Sequence, residues 1–95
     1  ALLKPAIADF MDSIVAENLD LAFEEVTISN TSIYCNKMLK NTDIQSELDL
    51  VIVAIRRKEG EMIFHPMGNT NIKEGDLLIT IGRGESLQKL TQLAK

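Results

Sequence analysis

The sequence has no tryptophan, one cysteine, one histidine and two prolines. A single cysteine cannot staple the fold internally, and it fits a reducing compartment. With one histidine and one cysteine, no zinc-type cluster can assemble within the chain. No apolar run approaches the roughly 18–20 residues of a membrane span, and no signal-like segment opens the chain. Positive charge is in deficit: 10 Lys+Arg against 14 Asp+Glu give a net charge of −4. A dedicated nucleic-acid binder would carry a basic patch instead, so nucleic acid is excluded as a partner. What is present is a core: 45% of the 95 residues are hydrophobic and 25% charged, which argues against disorder. The length is that of one domain. Folding at this size hides roughly 60–65% of the surface, so stability is modest without a partner. The start at Ala1, without Met, reads as a domain cut from something longer.

Pro5 suits a first helical position, and the spacing predicts a helix from Pro5 to about Val15, with Asn18 as its stop. Ala6, Phe10, Ser13 and Ile14 share one face, with Ile7 and Met11 beside them. Leu21–Ile28 reads as a strand whose alternation changes phase at Glu24–Glu25, the mark of a bulge or an edge. After a polar turn, Ile33–Leu39 is expected as a short helix capped by Thr31 or Ser32, with Ile33, Cys35, Met38 and Leu39 apolar. Asn41–Leu48 reads as loop. Leu50–Ile55 is an unbroken apolar run of strand length, which predicts cover on both faces. Arg56–Glu61 is a charged hairpin turn with Gly60 free to take positive φ. Met62–His65 returns and Pro66 ends it. Gly68–Glu74 is loop anchored by Ile72, Leu77–Ile81 the last strand, and Glu85–Ala94 a closing helix. The order is a helix, then β-α-β-β-β-α, an α+β domain with a small sheet covered by helices. Two short helices hardly cover both faces of the central strand, so a second copy is expected to supply the rest.

Each residue type with chemical potential also has a plainer reading. His65, at a strand end, is a peripheral contact or a ligand contact. Cys35 is a buried, inert thiol. Gly82-Arg83-Gly84-Glu85 resembles a phosphate-binding turn but lacks the rest of a GxGxxG pattern and its βαβ setting, which leaves a strand break and a helix cap. Arg56-Arg57-Lys58 is a solvated hairpin tip that could meet a phosphate or an acidic partner. Glu24, Glu25, Asp43, Glu47 and Asp49 could gather on a divalent cation only from distant positions or across subunits. Gly75-Asp76 is a turn whose carboxylate accepts neighbouring N–H groups. No Ser-His-Asp, paired-carboxylate or Cys-His arrangement emerges, so the residues describe a regulatory or interaction module and no enzyme.

Leu50–Arg56 (LVIVAIR), a charged turn, Met62–Pro66 (MIFHP) and Ile72–Gly82 (IKEGDLLITIG), in that order, resemble the RCK C-terminal domain, also called TrkA-C. Asn36-Lys37-Met38-Leu39 stands where that family has a helix reading G-K-x-L, with the glycine replaced. The opening Leu3–Phe10 looks like the helix that leads in from a nucleotide-binding RCK N-terminal domain. On this resemblance, residues 1–18 are a linker helix and 19–95 the RCK C-terminal domain. Regulation of a potassium channel or of potassium transport is implied, from the cytoplasmic side of the cell membrane. Homodimers within a larger ring, an RCK N-terminal domain, and a membrane pore or transporter subunit are the implied partners. A non-channel transporter or antiporter carrying the same module is the alternative. An ACT-like allosteric domain would need a second β-α-β unit that is not seen.

The resemblance also implies effectors. One branch of the family binds cyclic di-adenosine monophosphate between two such domains, with apolar side chains against the bases and an Arg after an Asp-Ile pair against the phosphates. Here Asp43-Ile44 is followed by Gln45, and Val51 stands where the next strand has a polar contact. The implied pocket is Leu39, Pro66 and His65, with Gln45 as a weak polar contact. Another branch senses divalent cations, for which no ligand residues transfer. NAD or ATP would belong to the N-terminal domain and not to this chain.

Overall fold

The computed structural model describes residues 5–16 and 20–95. Pro5 opens helix α1 (Pro5–Ala16), where its lost N–H costs nothing. Ile7, Phe10 and Met11 lie three and four residues apart on it, and all three are exposed. The stop expected at Asn18 lies outside the described residues. Strands β1 (Ala22–Thr27), β2 (Val51–Arg56), β3 (Met62–Phe64) and β4 (Leu77–Gly82) form one antiparallel sheet in the order β1-β4-β2-β3. The last strand in sequence therefore lies inside the sheet, and β1 and β3 are its edges. Helix α2 (Gly84–Leu93) packs on β1 and β4.

One face of the sheet is core. Val26, Ile52, Ile55 and Leu78 are buried there with Leu87, Leu90 and Ala94 of the closing segment. Loop residues Ile28, Tyr34, Leu39, Ile44, Leu48, Leu50 and Ile72 complete the cluster. Gly82 permits the close approach of Leu50: a Cβ at Gly82 would lie 2.2 Å from Leu50 Cδ2. The ends of α2 are satisfied from a distance. Gly84 N donates to Asp20 Oδ1 at 3.2 Å. Ser29 N and Ser32 Oγ donate to the carbonyls of Ala94 and Leu93, at 2.8 and 2.6 Å. Those carbonyls have no partner within the helix, so the 29–32 turn meets a real requirement.

In the single chain the other face is open, so cover on that side of Leu50–Ile55 is left to a second copy, as the sequence reading expects. Val51 and Val53 are 55% and 39% exposed, while Ile52, Ala54 and Ile55 are buried. A register shift between Ile52 and Ala54 turns Val53 out of the alternation, so the apolar run reflects a bulge and an uncovered face. Glu24–Glu25 carries no bulge: β1 pairs with β4 without interruption from Ala22↔Gly82 to Thr27↔Leu77. The charged pair marks an edge strand, the second of the two readings.

Ile33–Leu39 is not a helix. Ser32 Oγ accepts the Tyr34 N–H at 3.1 Å, the chain turns through 31–36, and Asn36 takes φ 66°. Only Leu39–Asn41 makes a turn of 3-10 helix. The backbone instead bonds across to a second loop. Asn36 N reaches Ile72 O (2.7 Å), Ile72 N reaches Lys37 O (2.8 Å), Leu39 N reaches Thr70 O (2.8 Å) and Lys40 N reaches Gly68 O (2.8 Å). These bonds satisfy the groups that an i→i−4 ladder would have used. The apolar members expected of that helix are redistributed: Leu39 is buried, Met38 is half-buried, Ile33 is exposed, and Cys35 is half-buried, not buried, while Tyr34 is buried beside them.

Candidate functional site

Of the residues named as ligand contacts, Leu39 belongs to the cross-loop ladder, His65 and Pro66 precede its second loop segment, and Gln45 lies outside it. Leu39 lies on one side of it, 1% exposed. Pro66, also buried, enters the other side two residues before Gly68. His65 sits between β3 and Pro66, exposed, with φ 50° and its N–H on Val53 O at 3.1 Å. His65 is thus bonded to Val53 of β2, and the Lys40–Gly68 bond links the segment after Leu39 to the segment after Pro66. Gln45 lies further along, exposed on the turn that Glu47 N and Leu48 N close onto Asp43 O, each at 2.9 Å. Among the described residues no side-chain hydrogen bond links Gln45 or His65 to the others. In a single chain, the exposed polar members are Gln45 and His65, while Leu39 and Pro66 are covered.

Two partly buried polar pairs hold this region, and neither was legible as a pair. Tyr34 Oη donates to Asp43 Oδ1 at 2.6 Å, tying the first loop to the turn that carries Gln45. Burial, and then this bond, push the tyrosine hydroxyl well above its usual pKa of 10.0. Thr42 Oγ1 donates to Leu39 O at 2.7 Å and fixes the 3-10 turn. On the other side Arg57 pairs with Asp76 and donates from Nη1 to Asn71 O at 2.9 Å. Asp76 Oδ2 also accepts Lys73 N at 2.8 Å, as expected of the Gly75-Asp76 turn, where Gly75 has φ 81°. Arg57 is therefore not part of a solvated tip: its side chain is 10% exposed, while Arg56 and Lys58 face solvent. The only signal in the sequence was an Arg just after one strand and an Asp just before another, 19 residues apart.

Around this region the sheet's open face is apolar. Antiparallel partners share a face, so the register places Phe23, Val51, Ile79, Ile81 and Phe64 together on it. Phe23, Val51 and Phe64 are 49%, 55% and 76% exposed. Glu24, Glu25, Asp43, Glu47 and Asp49 do not gather: among the described residues no group of three or more His, Cys, Asp or Glu could hold a metal. No described helix is long and apolar enough to cross a membrane.

Comparison with known proteins gives the region a setting. The pattern of the TrkA-C domain matches residues 23–95. "Potassium channel protein 1" of Methanocaldococcus jannaschii is 30% identical over 88 residues, 93% of this chain. The chain spans 26% of that relative's length. The structure of an RCK domain with cda is 30% identical, with a TM-score of 0.65, covering 78% of this chain and 99% of the other. The RCK C domain of the potassium transport protein KtrA, in complex with cyclic diadenosine monophosphate, has a TM-score of 0.69 at 24% identity. It covers 90% of this chain and 96% of the other. S. agalactiae BusR provides an RCK_C domain dimer in complex with the same nucleotide. BusR is also seen with promoter DNA, at 21% identity and a TM-score of 0.69, where the match spans 93% of this chain and 45% of BusR. The exclusion of nucleic acid, drawn from charge, must therefore be withdrawn for whole proteins with this fold, since it weighs these 95 residues alone.

Proposed function

The chain belongs to the TrkA-C domain family, and on that premise we propose that it is a non-catalytic, ligand-sensing and dimerising domain that regulates a potassium channel from the cytoplasmic side of the membrane. Residues 1–18 serve as the linker from an RCK N-terminal domain, and 19–95 as the regulatory unit. The observation that carries this reading is the uncovered apolar face, which runs through Val51 to Phe64 beside His65 and Pro66. An apolar surface of this kind favours association, and here it adjoins the loops that the resemblance assigns to ligand. The Methanocaldococcus relative favours a channel over an antiporter as the regulated protein.

A ligand between two copies binds one relative arrangement of them better than another, and shifts the population by that difference in affinity. In this reading the effector is a cyclic dinucleotide. Its bases lie against the apolar surface near Leu39 and Pro66, His65 stacks or hydrogen-bonds at the rim, and Gln45 faces the phosphates. Gln45 offers a neutral amide where an arginine would offer a charge-assisted fork, so phosphate recognition is weaker. Native mass spectrometry of the 95-residue chain, alone and with cyclic di-adenosine monophosphate, NAD, ATP or Ca²⁺, tests the reading. A dimer that gains one dinucleotide mass per pair supports it. A chain that stays monomeric at high concentration, or that binds NAD or ATP instead, overturns it.

A further inference from the structure

Strand β1 forms one edge of the sheet, and among the described residues no strand lies on its outer side. Ile28 N donates to Asp76 O at 2.9 Å at the end of the β1–β4 ladder. Antiparallel partners alternate between bonded and unbonded pairs. Counting back in twos, Ala22, Glu24 and Val26 exchange bonds with β4, and the Thr80 hydroxyl also reaches Glu24 O at 3.1 Å. The N–H and C=O groups of Phe23, Glu25 and Thr27 therefore point outward, and all three residues are exposed.

A concavity flanks this edge on each face of the sheet. On the α2 side, one of about 510 Å³ lies between Ala22 and Glu24 of β1 and Gln88, Thr91 and Gln92 of α2, with Lys95 at its margin. On the open side, a second of about 390 Å³ is lined by Phe23, Glu24, Glu25 and Ile79. A strand added to β1 would place alternate side chains in the two concavities, as its period of two requires. We infer that β1 is a strand-addition site for an extended, basic segment of a partner protein.

The charges choose the occupant. Glu24 projects to the α2 side and Glu25 to the open side, and neither has an ion-pair partner among the described residues. Two copies of β1 laid edge to edge would bring four carboxylates together, which is how edge strands discourage self-pairing. A segment with Lys or Arg opposite each glutamate and an apolar residue opposite Phe23 meets both concavities with complementary chemistry. Lys95 is the one cation lining either, and it sits at the far end of α2. The open-side concavity shares the apolar face proposed above for self-association, through Phe23 and Ile79, whereas the outward backbone groups of β1 and the α2-side concavity lie off that face.

The probe is a blocked hexapeptide, Lys-Thr-Lys-Ile-Arg-Val, titrated into the isotopically labelled 95-residue chain and followed by amide NMR. The expected result is shifts and slowed exchange at the Phe23, Glu25 and Thr27 amides. Glu25→Lys should weaken binding at least fivefold and favour the peptide with Glu in place of its basic residues. Methylating alternate peptide nitrogens should abolish the protection. Failure of the peptide to bind overturns the inference. So does binding that leaves those amides unchanged or ignores methylation, because charge alone would then suffice. Protection of β1 without peptide, growing with protein concentration, also overturns it and makes a second copy the occupant.

Discussion

Arg57 and Asp76 meet inside the fold, with side chains 10% and 1% exposed, and together they hold the end of β2 to the 71–76 loop. Arg57 adds a bond to Asn71 O, and Asp76 adds one from Lys73 N. The loop they fix is the one that Asn36, Lys37 and Leu39 bond across to. The pair therefore supports the backbone on both sides of the proposed ligand region. Asp76 Oδ1 is buried with no hydrogen-bond partner, so the carboxylate relies on Oδ2 for its compensation.

Removing one member of such a pair strands the other. Asp76→Asn or Arg57→Met is expected to cost about 3–5 kcal/mol, a large part of the roughly 5–15 kcal/mol that holds a small domain folded. Arg57→Met with Asp76→Leu should cost clearly less than the sum of Arg57→Met and Asp76→Leu measured singly. Urea unfolding at neutral pH checks this. Single variants within about 1 kcal/mol of the parent would mean the pair is not a clamp.

Tyr34→Phe removes the hydroxyl that donates to Asp43. Asp43 is half-buried, so water can replace the donor and the cost should be about 1.5 kcal/mol. The pH dependence is more specific. Tyr34 holds its proton more tightly when folded than at its unfolded value of 10.0. Its contribution is whole below pH 10 and declines as pH rises beyond it, by up to about 1.4 kcal/mol per pH unit. Unfolding free energies between pH 9 and 11 should slope less in Tyr34→Phe than in the parent.

The elements carried by local pattern were legible: Pro5 opening α1, all four strands, Gly60 at the hairpin with φ 106°, and the Leu87/Leu90 stripe of α2. Contacts made at long range were not. The 33–39 segment has a helical spacing of apolar residues, yet its partners lie in residues 68–72, which no local pattern announces. The unbroken LVIVAI run concealed a bulge, because a bulged residue and a doubly buried strand leave the same string of letters. Arg57 was hidden between two solvated basic neighbours. Leu39, Gln45 and Pro66 entered by resemblance, since nothing in their local chemistry sets them apart, whereas His65 stood out as the one histidine, at a strand end.

Gly82 and Leu50 form a packing pair open to a direct test. A methyl group at Gly82 would overlap Leu50 Cδ2, so Gly82→Ala should cost about 1–3 kcal/mol. Leu50→Ala alone should cost about 2–5 kcal/mol by leaving a cavity. With Leu50→Ala already present, Gly82→Ala should cost less, because the overlap is gone. Thermal unfolding of the four proteins completes the cycle. Equal cost of Gly82→Ala in both backgrounds would mean that the strain lies in the backbone.

Val51 and Phe64 test the proposed interface. Both are well exposed in the single chain, so Val51→Lys and Phe64→Ser should leave monomer stability within about 0.5 kcal/mol. Each should weaken self-association about tenfold or more, as loss of a central apolar contact does. Sedimentation equilibrium over a concentration series reads the effect. An unchanged dimer constant in both variants would move the interface off this face.

Gln45 decides whether the dinucleotide reading has its geometry right. The residue is exposed on a turn anchored by Asp43 and Tyr34, so Gln45→Arg should fold as the parent does. A guanidinium there would supply the bidentate, charge-assisted contact that a phosphate accepts best. Such a contact contributes about 1.5–3 kcal/mol, which is about 10- to 150-fold in affinity. Calorimetric titration with cyclic di-adenosine monophosphate should show that gain, and added salt should erode it faster than in the parent. Gln45→Ala should change affinity little, since a neutral, solvated amide gives up little when it is removed. A Gln45→Arg protein that binds no more tightly would place the phosphates away from this turn. The apolar contacts near Leu39 and Pro66 would then have to recognise a ligand with less charge to satisfy.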